Sequence, residues 1–279
     1  MKISGKVIAE NILKNLQQKI KKENLKPYLA IILAGDNPAS RVYVHNKLKT
    51  AEKYGIHADL FEFKKNEIEN VIQKIDGLNR DNKISGIIVQ FPVYEGWDFD
   101  VISKKIDPKK DVDGFLEDSP FMGATALAVW EMLGGFAKHE GFKKVEDFLK
   151  GKKIVVLGKG KTAGGPITKL LEDKGYKVYS IVHETKNPTS KIKKGDVVIS
   201  ATGVKNIINK YNLKKGSYVI GVGVGKKVVN GKHKIYGDIN EEDVSKLAKL
   251  YCPTIGGIGP LTIACLLRNV VESSHGFNG

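Results

Sequence analysis

The sequence predicts an α/β chain of two domains, each a parallel sheet flanked by helices, and three observations carry that expectation. Short β-branched apolar runs, at 29–33, 84–89 and 153–157 among others, alternate with longer segments of helical periodicity. The 279 residues, 41% hydrophobic and 28% charged, are enough for two buried cores. The alternation breaks at Gly134-Gly135, where a charged helical connector over 136–150 sets a first series apart from a second.

Taken in order, Ile8, Ile12, Leu16 and Ile20 recur at helical spacing and predict the first helix. The run 29–33 predicts a buried strand ending in Ala34-Gly35-Asp36, after which a helix carries Tyr43 and Lys47. A strand near 58–63, a helix near 67–78 and a strand from Ile84 complete a βαβ series, whose right-handed crossovers make its sheet parallel. The second series opens with the strand 153–157, a glycine-rich turn and a helix. Strands at 177–182, within 195–203 and within 217–223 follow, the last two ending in small residues. Pro260 suits a helix start, and Leu261, Ala264, Cys265, Leu267 and Val271 give that final helix an apolar stripe.

Open α/β sheets bind ligands at the C-terminal edges of their strands, so the polar residues there are the candidates for chemistry. Tyr43 and Lys47, four residues apart, stack a ring and an ammonium on one helical face. The ring can lie on a flat heterocycle, and a lysine in a partly dry cleft can lose its proton near neutral pH. A surface lysine beside a half-buried tyrosine would give the same spacing. Gln90 ends the strand begun at Ile84 and is followed by Phe91-Pro92. In Asp111-Val112-Asp113-Gly114 two carboxylates alternate in a turn too short to hide them. Asp-x-Asp-Gly suggests calcium, but the later glutamate of an EF-hand loop is missing. That leaves a solvated acidic turn, or a carboxylate gripping a cationic or amidine-like ring edge.

The turn Gly158-Lys159-Gly160-Lys161-Thr162-Ala163-Gly164-Gly165-Pro166 lies between a strand and a helix, where glycine lets the backbone approach a pyrophosphate at a helix N-terminus. Its spacing is Gly-x-Gly-x-x-x-Gly, which departs from the regular dinucleotide fingerprint, and any tight strand-to-helix turn favours glycine. Small residues such as Thr202 and Gly203 leave room for the nicotinamide half of a cofactor.

Forty-six basic against 31 acidic residues give a net charge of +15. The lysines are scattered in pairs such as Lys21-Lys22, Lys152-Lys153 and Lys193-Lys194, without a basic block or an aromatic ladder. Solvated surfaces that favour polyanionic small molecules are therefore expected, and nucleic-acid binding is not. No apolar run approaches the ~20 residues of a membrane span, and the N-terminus lacks a signal-peptide core. The two cysteines, Cys252 and Cys265, have neither metal spacing nor a disulfide framework, so no metal is expected and a cytoplasmic location is.

With these motifs in place, the chain resembles the FolD-type bifunctional methylenetetrahydrofolate dehydrogenase/cyclohydrolases over nearly its whole length. The resemblance rests on Gly35-Asp36-Asn37-Pro38-Ala39-Ser40 with Tyr43 and Lys47, on 86–92, on Lys110-Asp111-Val112-Asp113-Gly114-Phe115, and on Gly256-Gly257-Ile258-Gly259-Pro260-Leu261-Thr262. It implies an N-terminal α/β catalytic domain (1–134 with 259–279) and a Rossmann-like NAD(P)-binding domain (135–258). It also implies that Lys47 is the catalytic lysine, Gln90 its hydrogen-bonding partner, Tyr43 the ring stacked on the folate and Asp113 the carboxylate holding the pterin. Gly257 and Pro260 would also touch the substrate. Gly158, Lys159, Gly160, Lys161, Gly164, His183, Thr185, Thr202 and Gly203 would bind the cofactor. The implied partners are tetrahydrofolate substrates and a second copy in a homodimer, within one-carbon metabolism and purine biosynthesis.

The chain departs from the family in several places. Lys159 and Gly160 replace an arginine and a serine, Glu184 a serine, Gly221 an aspartate, Cys252-Pro253-Thr254-Ile255 the common Thr-Pro-Val-Pro, and Ala124-Thr125-Ala126 the common Cys-Thr-Pro. Glu184 favours the ribose hydroxyl of NAD, whereas Lys159, Lys161 and Lys186 favour a 2′-phosphate; NADP is the expected cofactor, with NAD the alternative. Two alternative functions are a dehydrogenase of another small metabolite on the same two-domain fold, and a non-catalytic basic binding protein.

Overall fold

The computed structural model describes residues 1–229 and 232–275. In chain order its elements are α1 (Gly5–Lys22), β1 (Tyr28–Leu33), α2 (Pro38–Lys53), β2 (His57–Glu62), α3 (Ile68–Arg80), β3 (Gly86–Val89), α4 (Phe99–Ser103), α5 (Ala124–His139), α6 (Val145–Leu149), β4 (Ile154–Leu157), α7 (Gly164–Asp173), β5 (Val178–Ile181), α8 (Pro188–Ile192), β6 (Val197–Ser200), β7 (Tyr218–Gly221), β8 (Val224–Val229), β9 (Lys232–Gly237), α9 (Glu241–Leu247), β10 (Leu250–Cys252) and α10 (Gly259–His275). The chain divides into two compact units. The central unit is Met1–Ala9 with Thr125–Thr262; the N-terminal unit is Glu10–Ala124 with the C-terminal residues from Ile263.

The boundary expected at residue 134 falls inside α5, which runs unbroken through Gly134 and Gly135. Gly135 is a packing residue: a Cβ there would stand 2.6 Å from Cδ1 of Ile8, so the missing side chain admits α1. A glycine pair that serves close packing looks in sequence like a linker.

In the N-terminal unit the sheet order is β2-β1-β3, all parallel. From Leu29 to Leu33 every residue is at most 1% exposed, which is why β1 reads as a continuous apolar run rather than an alternation. Val71, Ile75 and Leu78 of α3 bury the same helical face against Ala30, Ile32, Ile87 and Val89. Lys110 closes this helix: its buried ammonium donates to the carbonyls of Leu78, Asn79 and Asp81 at 2.8 Å each, satisfying acceptors that a helix end leaves open. Each buried carbonyl stripped of its donor costs on the order of 1–3 kcal/mol, partly offset by no longer desolvating an ammonium. Lys110→Met is accordingly expected to lower stability by about 2 kcal/mol, read as a lower urea midpoint at unchanged slope.

The central unit holds a parallel sheet in the order β10-β7-β6-β4-β5, with β8 and β9 as a separate antiparallel hairpin. β4, β6 and β7 are buried along their whole length. β10 was not foreseen, because three residues carry no periodicity.

Contrary to the expectation that no apolar run approaches membrane-spanning length, the helical stretch 254–275 is long and apolar enough, by length and composition, to cross a bilayer. In the most apolar 18 residues of that stretch, 72% are buried within the protein, and Leu261, Ala264, Cys265, Leu267 and Val271 of α10 are each 0% exposed. This is the apolarity of a core helix.

Candidate active site

Asn37 starts the helix that carries the lysine. Its side chain accepts from the N–H of Ala39 at 2.9 Å, and Pro38 occupies the first helical position, where its missing N–H costs nothing. Two turns on, Lys47 is 3% exposed, and its ammonium donates to Oε1 of Gln90 at 3.0 Å and lies 5.1 Å from the centre of the Tyr43 ring. Gln90 is placed by the sheet: its N–H donates to the carbonyl of Ile32, so it leaves β3 beside the C-terminal end of β1. Its amide nitrogen donates to the carbonyl of Phe91 at 2.8 Å, which leaves Oε1 turned to the lysine.

Burial pushes the Lys47 ammonium below the ordinary lysine range, and the charge of Asp113 opposes that shift. Burial pushes Asp113 up, and Lys47 opposes it in turn. Each group is thus drawn toward its neutral form by desolvation and held charged by the other. A lysine so placed sheds its proton more readily than an exposed one.

The two carboxylates of the acidic turn differ, and the expectation that neither could be hidden fails for one. Asp111 is 2% exposed and accepts from the N–H groups of Gly114, at 3.2 Å, and Leu116, at 2.7 Å. Burial raises its carboxyl to about 6. Asp111 therefore builds the loop, and Asp113 is the carboxylate whose charge reaches Lys47.

In the central unit, the expected cofactor residues follow the C-terminal ends of three neighbouring strands, β5, β4 and β6. Gly158 has φ +94°, a conformation that favours glycine, and a Cβ there would stand 2.5 Å from the carbonyl of Ala201. At Gly164 a Cβ would meet the carbonyl of Gly158 at 2.2 Å, so the glycine turn is closed too tightly for any side chain at either position. Thr202 lies beside Gly158, within 3.5 Å of that same hypothetical Cβ, and Gly203 follows at φ +69°. At the end of β5, Thr185 Oγ1 accepts from the N–H of Val182 at 2.9 Å and shapes the turn that exposes His183, Glu184 and Lys186. Lys159, Gly160 and Lys161 are likewise exposed. A backbone cradle with α7 behind it and cations at its mouth fits a phosphate-bearing dinucleotide.

Gly257 and Pro260 belong to this unit as well. A Cβ on Gly257 would lie 2.5 Å from Sγ of Cys252, so this glycine serves packing. The departure at Gly221 also has a packing counterpart, because a Cβ there would lie 2.3 Å from Oγ1 of Thr254. One residue was missed: Asp238, 0% exposed, accepts from Ser200 Oγ and the N–H of Thr202, both at 2.8 Å, and so fixes the small-residue end of β6. Its local sequence, Tyr236-Gly237-Asp238-Ile239 just before Glu241-Glu242-Asp243, does not distinguish it from a surface acid.

Family models for the tetrahydrofolate dehydrogenase/cyclohydrolase catalytic domain and NAD(P)-binding domain match residues 3–113 and 124–277. The chain belongs to the tetrahydrofolate dehydrogenase/cyclohydrolase family. It is 37% identical over 286 residues to the bifunctional protein FolD of Rickettsia massiliae, covering 97% of this chain and 95% of the relative. Among solved structures it is similar to the FolD methylenetetrahydrofolate dehydrogenase/cyclohydrolase of Campylobacter jejuni, with TM-score 0.88, 33% identity and 99% of each chain covered. It is also similar to the Trypanosoma brucei enzyme complexed with NADP and an inhibitor, with TM-score 0.89, 27% identity and 99% and 97% covered. Neither alternative function gains support from these matches.

Proposed function

We propose that this member of the family oxidises 5,10-methylenetetrahydrofolate to 5,10-methenyltetrahydrofolate with NADP, and then hydrolyses the product to 10-formyltetrahydrofolate. The observation that carries the reading is a buried lysine, bonded to Gln90 and charge-coupled to Asp113, in a chain matched by both family domains. The catalytic domain in this reading is the α/β part of the chain around β1–β3 and α10, and the nucleotide domain is the part around β4–β7.

NADP, when bound, would supply the acceptor for the hydride that leaves the methylene bridge. Tyr43 stacks on the folate and Asp113 holds its pterin edge, orienting the bridge. In the hydrolytic step Lys47, with its lowered proton affinity, takes the proton of the attacking water, and Gln90 aims the amine without adding charge. Gly257 and Pro260 belong to the folate side of the same reading. Gly158, Gly160 and Gly164 would hold the pyrophosphate, His183 and Thr185 the ribose end, and Thr202 and Gly203 the nicotinamide end. A homodimer located in the cytoplasm completes the reading.

The experiment is a spectrophotometric assay of methylenetetrahydrofolate with each cofactor. Absence of turnover with both cofactors refutes the proposal. The cofactor preference follows from charge: exposed Lys159, Lys161 and Lys186 attract a 2′-phosphate, and exposed Glu184 repels it. NADP is expected to have the lower Michaelis constant, by a margin that salt erodes. Lys159→Ala should weaken NADP more than NAD, and Glu184→Ser should widen the preference for NADP. A wild-type preference for NAD at low salt overturns the assignment.

A further inference from the structure

The segment 109–123, which carries both loop carboxylates, has no regular element beyond the short turn over 108–110. Side chains from distant parts of the N-terminal unit hold it. Asn269 of α10, 2% exposed, donates from Nδ2 to the carbonyls of Val112, at 2.9 Å, and Met122, at 3.1 Å. These two carbonyls lie on either side of Asp113 in the chain. Between them the loop turns at Gly114, φ +68°, where a Cβ would stand 2.6 Å from the nitrogen of Gly123. The loop is thus closed on itself, and one amide ties its two limbs together. One turn further along α10, Ser273 Oγ donates to the carbonyl of Lys109 at 3.2 Å.

We propose that Asn269 is a positioning residue for the reaction: by tying the carbonyls of Val112 and Met122 it fixes the loop so that Asp113 stays opposite Lys47. This rests on the function proposed above. Every anchor engages the loop backbone, so the carboxylate of Asp113 remains available to Lys47 and substrate. The groups acting on Lys47 are Gln90 from the end of β3, Tyr43 from its own helix and Asp113 from the loop; the charge of Asp113 also raises the neighbouring Asp111.

The test compares Asn269→Leu, similar in volume but without donors, and Ser273→Ala with the wild type. Lys47 is followed by NMR of carbon-13-labelled lysine, its signal identified by its absence in Lys47→Met. Asp113 holds Lys47 charged, so a loosened loop lowers the Lys47 titration midpoint. The Michaelis constant for methylenetetrahydrofolate should rise by about tenfold in Asn269→Leu while kcat changes by less than about threefold. Ser273→Ala should move both quantities the same way by less. A folded Asn269→Leu protein with the wild-type midpoint and Michaelis constant overturns the proposal; if that variant does not fold, wild-type values in Ser273→Ala do so. Should the functional reading be at fault instead, the wild type does not turn over methylenetetrahydrofolate while the Lys47 midpoint still moves in Asn269→Leu.

Discussion

Lys47→Met is expected to lower the hydrolysis of methenyltetrahydrofolate by ~100- to 10,000-fold, the usual worth of a general base, with folate affinity changed by no more than about threefold. Methionine keeps the aliphatic packing of a side chain that is 3% exposed, so the loss falls on the amine and its bond to Gln90. The direction of the proton affinity gives a second signature. A lysine pushed below its ordinary range by burial is neutral over more of the accessible pH span, so hydrolysis in the wild type should rise with pH through that lowered value and then level. The residual rate of the variant should lack this limb. Stopped-flow decay of the methenyl absorbance, set beside folate binding by fluorescence, measures both; wild-type hydrolysis in Lys47→Met ends the assignment of the base.

Asp113→Asn is expected to weaken folate binding by ~10- to ~150-fold in both activities, since a hydrogen bond to a charged group is worth roughly 1.5–3 kcal/mol. The same change removes the charge that opposes the downward shift of Lys47, so the rising limb of the hydrolysis profile should move to lower pH. Asp111→Asn serves as the contrast. Asp111 accepts two backbone N–H bonds inside the loop, and its loss should appear mainly in thermal stability. Equal effects on folate affinity from the two substitutions would show that the turn acts only as structure.

The strand ends were legible because burial on both faces leaves an unmistakable mark. The run 29–33 and the run closing at Gln90 could only be interior strands, and the polar residue after each had to emerge at a sheet edge. The helix carrying Tyr43 and Lys47 was legible from the strand end at Ala34-Gly35-Asp36 and the four-residue spacing of ring and ammonium, whereas the cap at Asn37 that starts it emerged from the structure. The glycine turn after β4 was legible despite its irregular spacing, because a strand before it and a helix after it require the backbone to turn sharply.

Other features could not be read that way. Gly134-Gly135 looked like a break and is the middle of a helix, because the reason for Gly135 is the close approach of Ile8, far away in the chain. Asp111 and Asp113 look alike in sequence, and only the fold of the loop over Asp111 separates a structural carboxylate from one that faces a lysine.

The sequence by itself determined the main buried strands with the helices between them and the side chains delivered to the strand ends, since these follow from local periodicity and turn chemistry, while the family followed from the resemblance of its motifs. The tertiary structure alone decided that Lys110 seals a helix end and that Asn269 reaches Val112 across 157 residues. The physical reason is that a hydrogen bond between distant residues depends on where the packed core carries them, and buried carbonyls at Leu78 and Val112 acquire a need for donors only once water has been excluded.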